Sequence, residues 1–332
     1  MKLQKTLKRT LIVFLMVFAL LCLLMVTPRL LSFINPGKPP VGYHLLALDY
    51  LALKVGLEDT ITKHPPVPPD IEVFKNIEYK NINGKSLQLD IYRPNNLYFP
   101  APLLVFIHGG GWSGGQRSDY LVYLIAFAKK GYVTATVSYR LLKDGPYPAC
   151  VEDITDAAQW FYKNGGMFGY DPDRIAFIGG SAGSHLAMLA GYGWKKTSAG
   201  ADSSGIEEKG HRIKAVVEIY GPTDLTTEYA RNHSLVTSFL AHTYDEAPEI
   251  FKEASPVTYL DRNDPPTLIL HGTSDNLVPV SQAFLLKHRL DSLGVPAVLY
   301  TLPLWPHAMD VVKRVNEYSQ IKMEEFFNKY LK

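Results

Sequence analysis

Two pentapeptides in this chain carry a serine with glycine two residues away on either side: Gly179-Gly180-Ser181-Ala182-Gly183 and Gly111-Trp112-Ser113-Gly114-Gly115. That spacing suits a serine on a sharp strand-to-helix turn, where a strained backbone lifts the hydroxyl clear of a sheet and neighbours two residues away must be small. A helix beginning directly after the serine points free N–H groups at it, and these favour developing negative charge. The chemistry such a serine performs is nucleophilic attack on a carbonyl carbon. The pattern alone is weak, as its occurring twice shows, and the surroundings separate the two copies. Ser181 follows the apolar run RIAFI (174–178) and precedes the helix-compatible AGSHLAML. Ser113 is followed by GGQRSDY, which cannot begin a helix there. Ser181 is therefore the candidate nucleophile.

A serine hydroxyl needs a base, an acid to orient that base, and donors for the oxyanion that forms. His108-Gly109-Gly110-Gly111-Trp112 follows the apolar run LLVFI (103–107). Consecutive glycines let backbone N–H groups face a substrate oxygen with no side chain in the way, and the N–H after the nucleophile, on Ala182, completes the donor set. For a serine on such a turn the chain order is serine, then carboxylate, then histidine. Of ten histidines, His44 and His64 precede the strand-helix region, and His108 belongs to the glycine loop, whose shape it holds. His185 lies one turn past Ser181 and points into packing. His211, His233 and His242 come before any acid that ends a strand. His271 ends a strand only four residues before Asp275, and His288 sits mid-helix. His307, in the loop LPLWPHAMD after the last strand, is the candidate base. Asp275, in HGTSD after the strand TLIL, is the candidate acid; Asp224 in YGPTD is the runner-up, and Asp310 comes too late in the chain.

The elements that must position these residues alternate between strand and helix from residue 71 onward. Residues 77–79 and 87–92 flank an Asn83-Gly84 hairpin turn. Strands are predicted over 103–107, 132–139, 174–178, 215–220, 267–270 and 297–302, with helices over 120–128, 151–161, 184–191 and within 307–330. The short, continuous apolar runs fit strands buried on both faces, and the alternation predicts an α/β fold with a mainly parallel central sheet covered by helices on both faces. Residues 226–260, with Tyr229, Phe239, Tyr244 and Phe251, are expected to wall the acyl pocket.

The N-terminus reads differently. Lys2, Lys5, Lys8 and Arg9 precede an uncharged stretch over 10–28, a helix of somewhat under ~30 Å, enough to cross a bilayer core. A cleaved signal peptide normally has a shorter apolar region and a small-x-small site, whereas Leu23, Leu24, Met25 and Val26 fill that region here. An N-terminal transmembrane helix over 1–28 is expected, with the N-terminus cytoplasmic and the body on the far side; a secreted body is the alternative. Residues 29–70 are broken by seven prolines and read as a linker with an accessory helix over 45–57, which docks on the body, with packing on the membrane surface or covering the active site as the alternatives, and 71–332 as the catalytic domain. Four of the cations behind the net charge of +2 lie in the first ten residues, so the body carries no basic excess and nucleic acid is not an expected partner. Cys22 and Cys150 allow no disulfide framework, and Cys150 reads as a small apolar filler.

Together LLVFIHGGGWSGG, VSYRL, PACVEDITDAAQWF, DPDRIAFIGGSAGSHLA, IYGPTD and HGTSDNLVP resemble the α/β-hydrolase fold esterases and lipases related to hormone-sensitive lipase. More closely they resemble the small carboxylesterases that include feruloyl- and acetylxylan-esterase-like enzymes. The likeness runs from Leu89 to the final helix. It implies a serine esterase with the triad Ser181, Asp275 and His307, oxyanion donors from Gly110, Gly111 and Ala182, Gly109 shaping that loop, and Asp153 as a structural carboxylate. It implies no metal or organic cofactor, and a small-molecule acyl ester as substrate. Ser184 departs from the second glycine usual in GGSAGGH, and Trp305-Pro306 stand before His307 where relatives often carry smaller residues. Two other readings stay open: an amidase, formamidase or peptidase of the same fold, and a membrane-anchored binding protein without activity. Asn232-His233-Ser234 matches a glycosylation sequon, and nothing in the sequence addresses oligomeric state.

Overall fold

The computed structural model of the chain describes residues 2–35, 37–43, 46–97, 99–193 and 213–332. His44, Leu45 and His211 lie outside them. The chain begins with a long helix, α1 (Lys2–Ile34), followed by a short one, α2 (Leu46–Lys54). The stretch Thr6–Ile34 is long and apolar enough to cross a membrane, and little of it is covered by the rest of the chain. Helix α1 runs six residues past Pro28, where the sequence reading ended it. Two contacts explain this. The hydroxyl of Thr27, the residue before Pro28, donates back to the Leu23 carbonyl at 2.6 Å, a bond within the helix beside the proline. Met25 is buried with Tyr43, Leu48 and Ala52, so α2 packs on the end of α1 and holds it helical.

Strands β1 (Ile71–Ile82) and β2 (Lys85–Pro94) form a hairpin. Its turn residues Asn83 and Gly84 both adopt positive φ, +51° and +83°, the pair a tight hairpin needs. There follow β3 (Ala101–Ile107), α3 (Leu121–Ala128), β4 (Val133–Val137), α4 (Ala149–Phe168), β5 (Tyr170–Gly180), α5 (Ala182–Gly191) and β6 (Ala215–Ile219). Three short helices come next, α6 (Glu228–Arg231), α7 (Ser234–Leu240) and α8 (Pro248–Glu253). The chain closes with β7 (Thr267–Gly272), α9 (Ser281–Leu293), β8 (Ala297–Leu302) and α10 (Lys313–Tyr330).

The eight strands form one sheet in the order β1-β2-β4-β3-β5-β6-β7-β8. β1, β2 and β4 pair antiparallel, and every pairing from β4 through β8 is parallel. Along β3, Leu103, Val105 and Ile107 face the layer of α4, α5 and α9, while Leu104 and Phe106 face α3 and α10. This two-sided burial is why the run is apolar without alternation, and each such side chain contributes about 1.5–3 kcal/mol relative to exposure. Strand order reverses between β3 and β5. The open crevice at the carboxyl ends of these strands is where an α/β sheet places its ligand site.

One carboxylate sits in the middle of this sheet. Glu218 on β6 is fully buried and accepts the Gly221 N–H. Burial raises its carboxyl to about 7, against the opposing pull of His271 and the Gly221 hydrogen bond. A carboxyl whose folded pKa lies above its unfolded value stabilises the fold below the unfolded pKa and loses that contribution as pH rises through the folded one. Glu218→Gln keeps the acceptor for Gly221 and cannot ionise. Its stability relative to the parent is expected to rise between pH 5 and pH 8, by about 3 kcal/mol, with a melting temperature that gains on the parent's over the same range. Thermal melts across that range check this, and a pH-independent difference contradicts it.

Candidate active site

Ser181 occupies the single residue between β5 and α5, at φ 56° and ψ −123°. A non-glycine residue there costs about 1–3 kcal/mol, which the surrounding structure must hold in place. The two flanking glycines are dictated by contact. A Cβ at Gly179 would collide with the backbone of Gly183, and one at Gly183 with the Ile107 carbonyl. The Ser181 N–H donates to the Ile219 carbonyl at 2.9 Å, fixing the turn to the end of β6. Ser113, by contrast, lies exposed in a turn, its hydroxyl donating to the Gly110 carbonyl at 3.2 Å.

Asp275 follows β7 and His307 follows β8, so both loops open at the same sheet edge as Ser181. His307 Nε2 is 3.0 Å from Ser181 Oγ, and His307 Nδ1 is 2.7 Å from Asp275 Oδ2. With Nδ1–H donating to the carboxylate, Nε2 is left as an acceptor for the serine hydroxyl, a tautomer assigned from this network. The backbone N–H groups of Leu277 and Val278 donate to Asp275 Oδ1, each at 2.9 Å. Burial works to raise the Asp275 carboxyl, but hydrogen bonds from His271 and His307 and the nearby imidazole outweigh it and hold the group at about 2. The ring of Tyr220 meets His307 edge-on at 4.7 Å, and its hydroxyl donates to the buried Asp310. Asp224, the runner-up acid, is engaged instead with the N–H and hydroxyl of Thr226.

The glycine loop abuts the serine turn. A Cβ on Gly109 would sit 2.7 Å from the Gly180 carbonyl oxygen, and Gly110 and Gly111 adopt φ of 109° and 58°. His108 is buried and stacks on Tyr139 at 4.4 Å, its Nδ1 2.9 Å from the Gly109 carbonyl, which fits a loop-holding role. His185 is fully buried against the Ala254 carbonyl, and burial lowers its pKa to about 4, so it stays neutral. Asp153 is buried beneath Arg140 and Lys80.

A cavity of about 20 Å3 lies beside Ser181 and Ala182, walled by Gly111, Trp112, Tyr229, Leu235, Val236 and Leu277 among others. Of the four aromatics expected to form its wall, only Tyr229 lines it. Phe239 stands behind, stacked on Trp112 at 4.2 Å, while Tyr244 and Phe251 pack on each other. Sequence reading missed three further groups. Ser184 and Glu218 are both fully buried and both lie against Gly221, so the departure at Ser184 puts a hydroxyl in the neighbourhood of that carboxylate. Tyr220 backs His307. The accessory region, read as a linker with a docked helix, also reaches the site itself: the Pro40 carbonyl accepts the Trp305 indole N–H at 2.8 Å, two residues from His307. The one signal for this contact was the bulky Trp305 itself.

Residues 89–290 match the family model BD-FAE. The chain is 33% identical over 242 residues to the esterase LipQ of Mycobacterium tuberculosis, covering 70% of this chain and 56% of that protein. It is 31% identical over 253 residues to the carboxylic ester hydrolase LipM of the same organism, named there as probable, covering 73% and 58%. The chain thus spans little more than half the length of the curated relatives it matches. A propionate-bound esterase from Thermogutta terrifontis shares the fold, with a TM-score of 0.66 at 24% identity over 79% of this chain and 94% of that one. The match over most of the strand-helix region, joined to an eight-stranded sheet that turns sharply into a helix at Ser181, settles the classification: the chain has the α/β-hydrolase fold and belongs to the BD-FAE family.

Proposed function

We propose that this protein is a carboxylic-ester hydrolase working through an acyl-enzyme on Ser181. The observation that carries the reading is the continuous relay from Ser181 Oγ through His307 to Asp275, at 3.0 and 2.7 Å, beside a glycine loop. In the first half-reaction Ser181 Oγ bonds to the ester carbonyl carbon as His307 Nε2 takes its proton. The carbonyl oxygen becomes an oxyanion facing the N–H groups of Gly110, Gly111 and Ala182, and each such donor is worth about 3–4 kcal/mol of barrier. The C–O bond to the alcohol then breaks, and His307 returns the proton to the leaving oxygen. In the second half, water attacks the acyl carbon, giving a proton to His307, which passes it to Ser181 Oγ as the acid departs. Asp275 stays ionised throughout and stabilises the transient imidazolium.

The size of the cavity bears on the acyl group. A volume of about 20 Å3 holds roughly one water-sized group, which is a methyl, so the acyl chains favoured are acetyl and its near neighbours. Helix α1 is read as an uncleaved anchor, with the basic end cytoplasmic and the catalytic domain on the far side.

Ser181→Ala is expected to abolish both ester hydrolysis and fluorophosphonate labelling, while Asp275→Asn lowers kcat by roughly 10^3–10^4-fold by losing the tautomer that leaves Nε2 free. Labelling of the alanine variant at the parent's rate contradicts the assignment. Across p-nitrophenyl esters, kcat/KM should be highest at acetate or propionate and fall by about tenfold or more at octanoate, with an anilide arm separating esterase from amidase. A rise toward octanoate contradicts the small-acyl reading. In intact cells, external protease should digest the domain; digestion only after lysis contradicts the topology.

A further inference from the structure

The segment between α1 and β1 docks onto the same stretch of chain that carries His307. The Gly42 N–H donates to the Pro303 carbonyl at 2.8 Å, and a Cβ on Gly42 would approach the Leu304 oxygen to 2.7 Å. Farther on, Thr60 bridges Val312, the Ile61 N–H donates to Val311 and the Lys313 N–H donates to Asp59. Residues 40–42 and 58–61 therefore form a strap in two pieces, lying along 303–305 and 311–314 on either side of His307.

Arg314 ties the strap down. Its guanidinium donates to both oxygens of Glu58 at 2.9 Å, to the Val41 carbonyl at 2.8 Å and to the Ser32 hydroxyl of α1 at 2.8 Å. It also lies over the Trp305 ring at 4.7 Å from its centre. Glu58 and Trp305 are both buried, at 5% and 2% exposure. Trp305 faces the other way as well. Its indole N–H donates to Pro40, while its carbonyl accepts the Ser274 N–H at 3.0 Å. The neighbouring Leu304 N–H donates to the Thr273 hydroxyl at 2.8 Å. Thus Trp305 joins the loop of the base, His307, to the loop of the acid, Asp275, one residue beyond Ser274.

We propose that Arg314 is a positioning residue: with Glu58, Val41 and Pro40 of the strap it clamps Trp305, and through Trp305 it fixes His307 and Asp275 relative to Ser181. This rests on the esterase reading of that site. A planar fork that serves three partners and stacks on an indole is a task for arginine, and lysine meets only part of it. Because α1 supplies Ser32, and Met25 is buried against α2, the anchor's end belongs to the same clamp.

The test uses the full-length protein in detergent, with Arg314→Ala, Arg314→Lys and, as a control ion pair far from the site, Arg93→Ala. Arg314→Ala should lower kcat for p-nitrophenyl acetate by about 10- to 100-fold, the cost of a small displacement of reacting groups. KM should stay within about twofold, since the acyl cavity is untouched. Fluorophosphonate labelling should slow with kcat, and the low-field proton resonance of the His307–Asp275 hydrogen bond, identified by its loss in His307→Ala, should disappear. Arg314→Lys should recover part of kcat, and Arg93→Ala should match the parent. An Arg314→Ala enzyme that keeps its kcat and its resonance while melting lower overturns the proposal, because the strap is then only structural. If that variant does not fold, Arg314→Lys and Glu58→Gln are read by the same three measurements, and parental values in both overturn it. A parent that neither hydrolyses esters nor labels overturns the esterase reading instead, and the resonance alone then decides for or against the clamp.

Discussion

A serine held at φ 56° is the constraint on which the rest of this structure depends. The conformation is unfavourable for any L-residue with a Cβ, and it persists because the surroundings permit no other. Gly179 and Gly183 pack backbone to backbone, Gly183 lies on the end of β3, and Ser181 itself is bonded to the end of β6. Three adjacent parallel strands thus converge on one residue. The glycine loop can only follow β3, and the helix dipole of α5 can only begin at Ala182. The strain is local, but its maintenance requires the whole sheet, which is why the apolar runs of β3, β5 and β6 are buried on both faces.

The second half of the proposed machinery lacks that rigidity of its own. Asp275 and His307 stand on loops after β7 and β8, and β8 is an edge strand whose residues are mostly half-buried. What holds Asp275 is electrostatic. Two backbone N–H groups and two imidazoles face a buried carboxylate, and together they outweigh the penalty of burial. What surrounds it is kept uncharged where possible. His185 is neutral through burial, and burial raises the carboxyls of both Glu218 and Asp310. Asp275 is the carboxyl among these whose pKa is driven down rather than up, and the proposed chemistry needs that negative charge beside the imidazole.

Legibility in the sequence followed the range of the interaction. Ser181, the glycine loop and the hairpin at Asn83-Gly84 were readable because their requirements are met within a few residues. Asp275 and His307 were readable because the order of a parallel sheet limits where a base and an acid can stand. Contacts spanning hundreds of residues left no local pattern. The prolines of the 29–70 region look the same in a free linker as in a strap whose Pro40 carbonyl is hydrogen-bonded to Trp305. Tyr229 and Phe239 are equally aromatic in sequence, and only the direction each faces makes one a cavity wall and the other a support behind Trp112. The passage of α1 beyond Pro28 was hidden for the same reason, since the packing of Met25 on α2 decides it.

The small cavity and the apolar helix, taken together, limit what the anchor is for. A hydrolase that draws its acyl chains from a bilayer needs a long apolar tunnel, because each methylene of a fatty chain must leave lipid for a surface as apolar as lipid. The walled space beside Ser181 has room for about one methyl-sized group, which fits the proposed short acyl chains better than such a chain. On the proposed reading of α1 as an anchor, the helix serves location rather than lipid supply. On that reading it keeps the domain at a membrane surface, while its far end, through Ser32 and Met25, packs on α2 and bonds to Arg314 beside the His307 loop. Anchoring and positioning then draw on the same residues, and a chain cut after Val26 would lose the side chain that covers Tyr43, Leu48 and Ala52 along with its hold on the membrane.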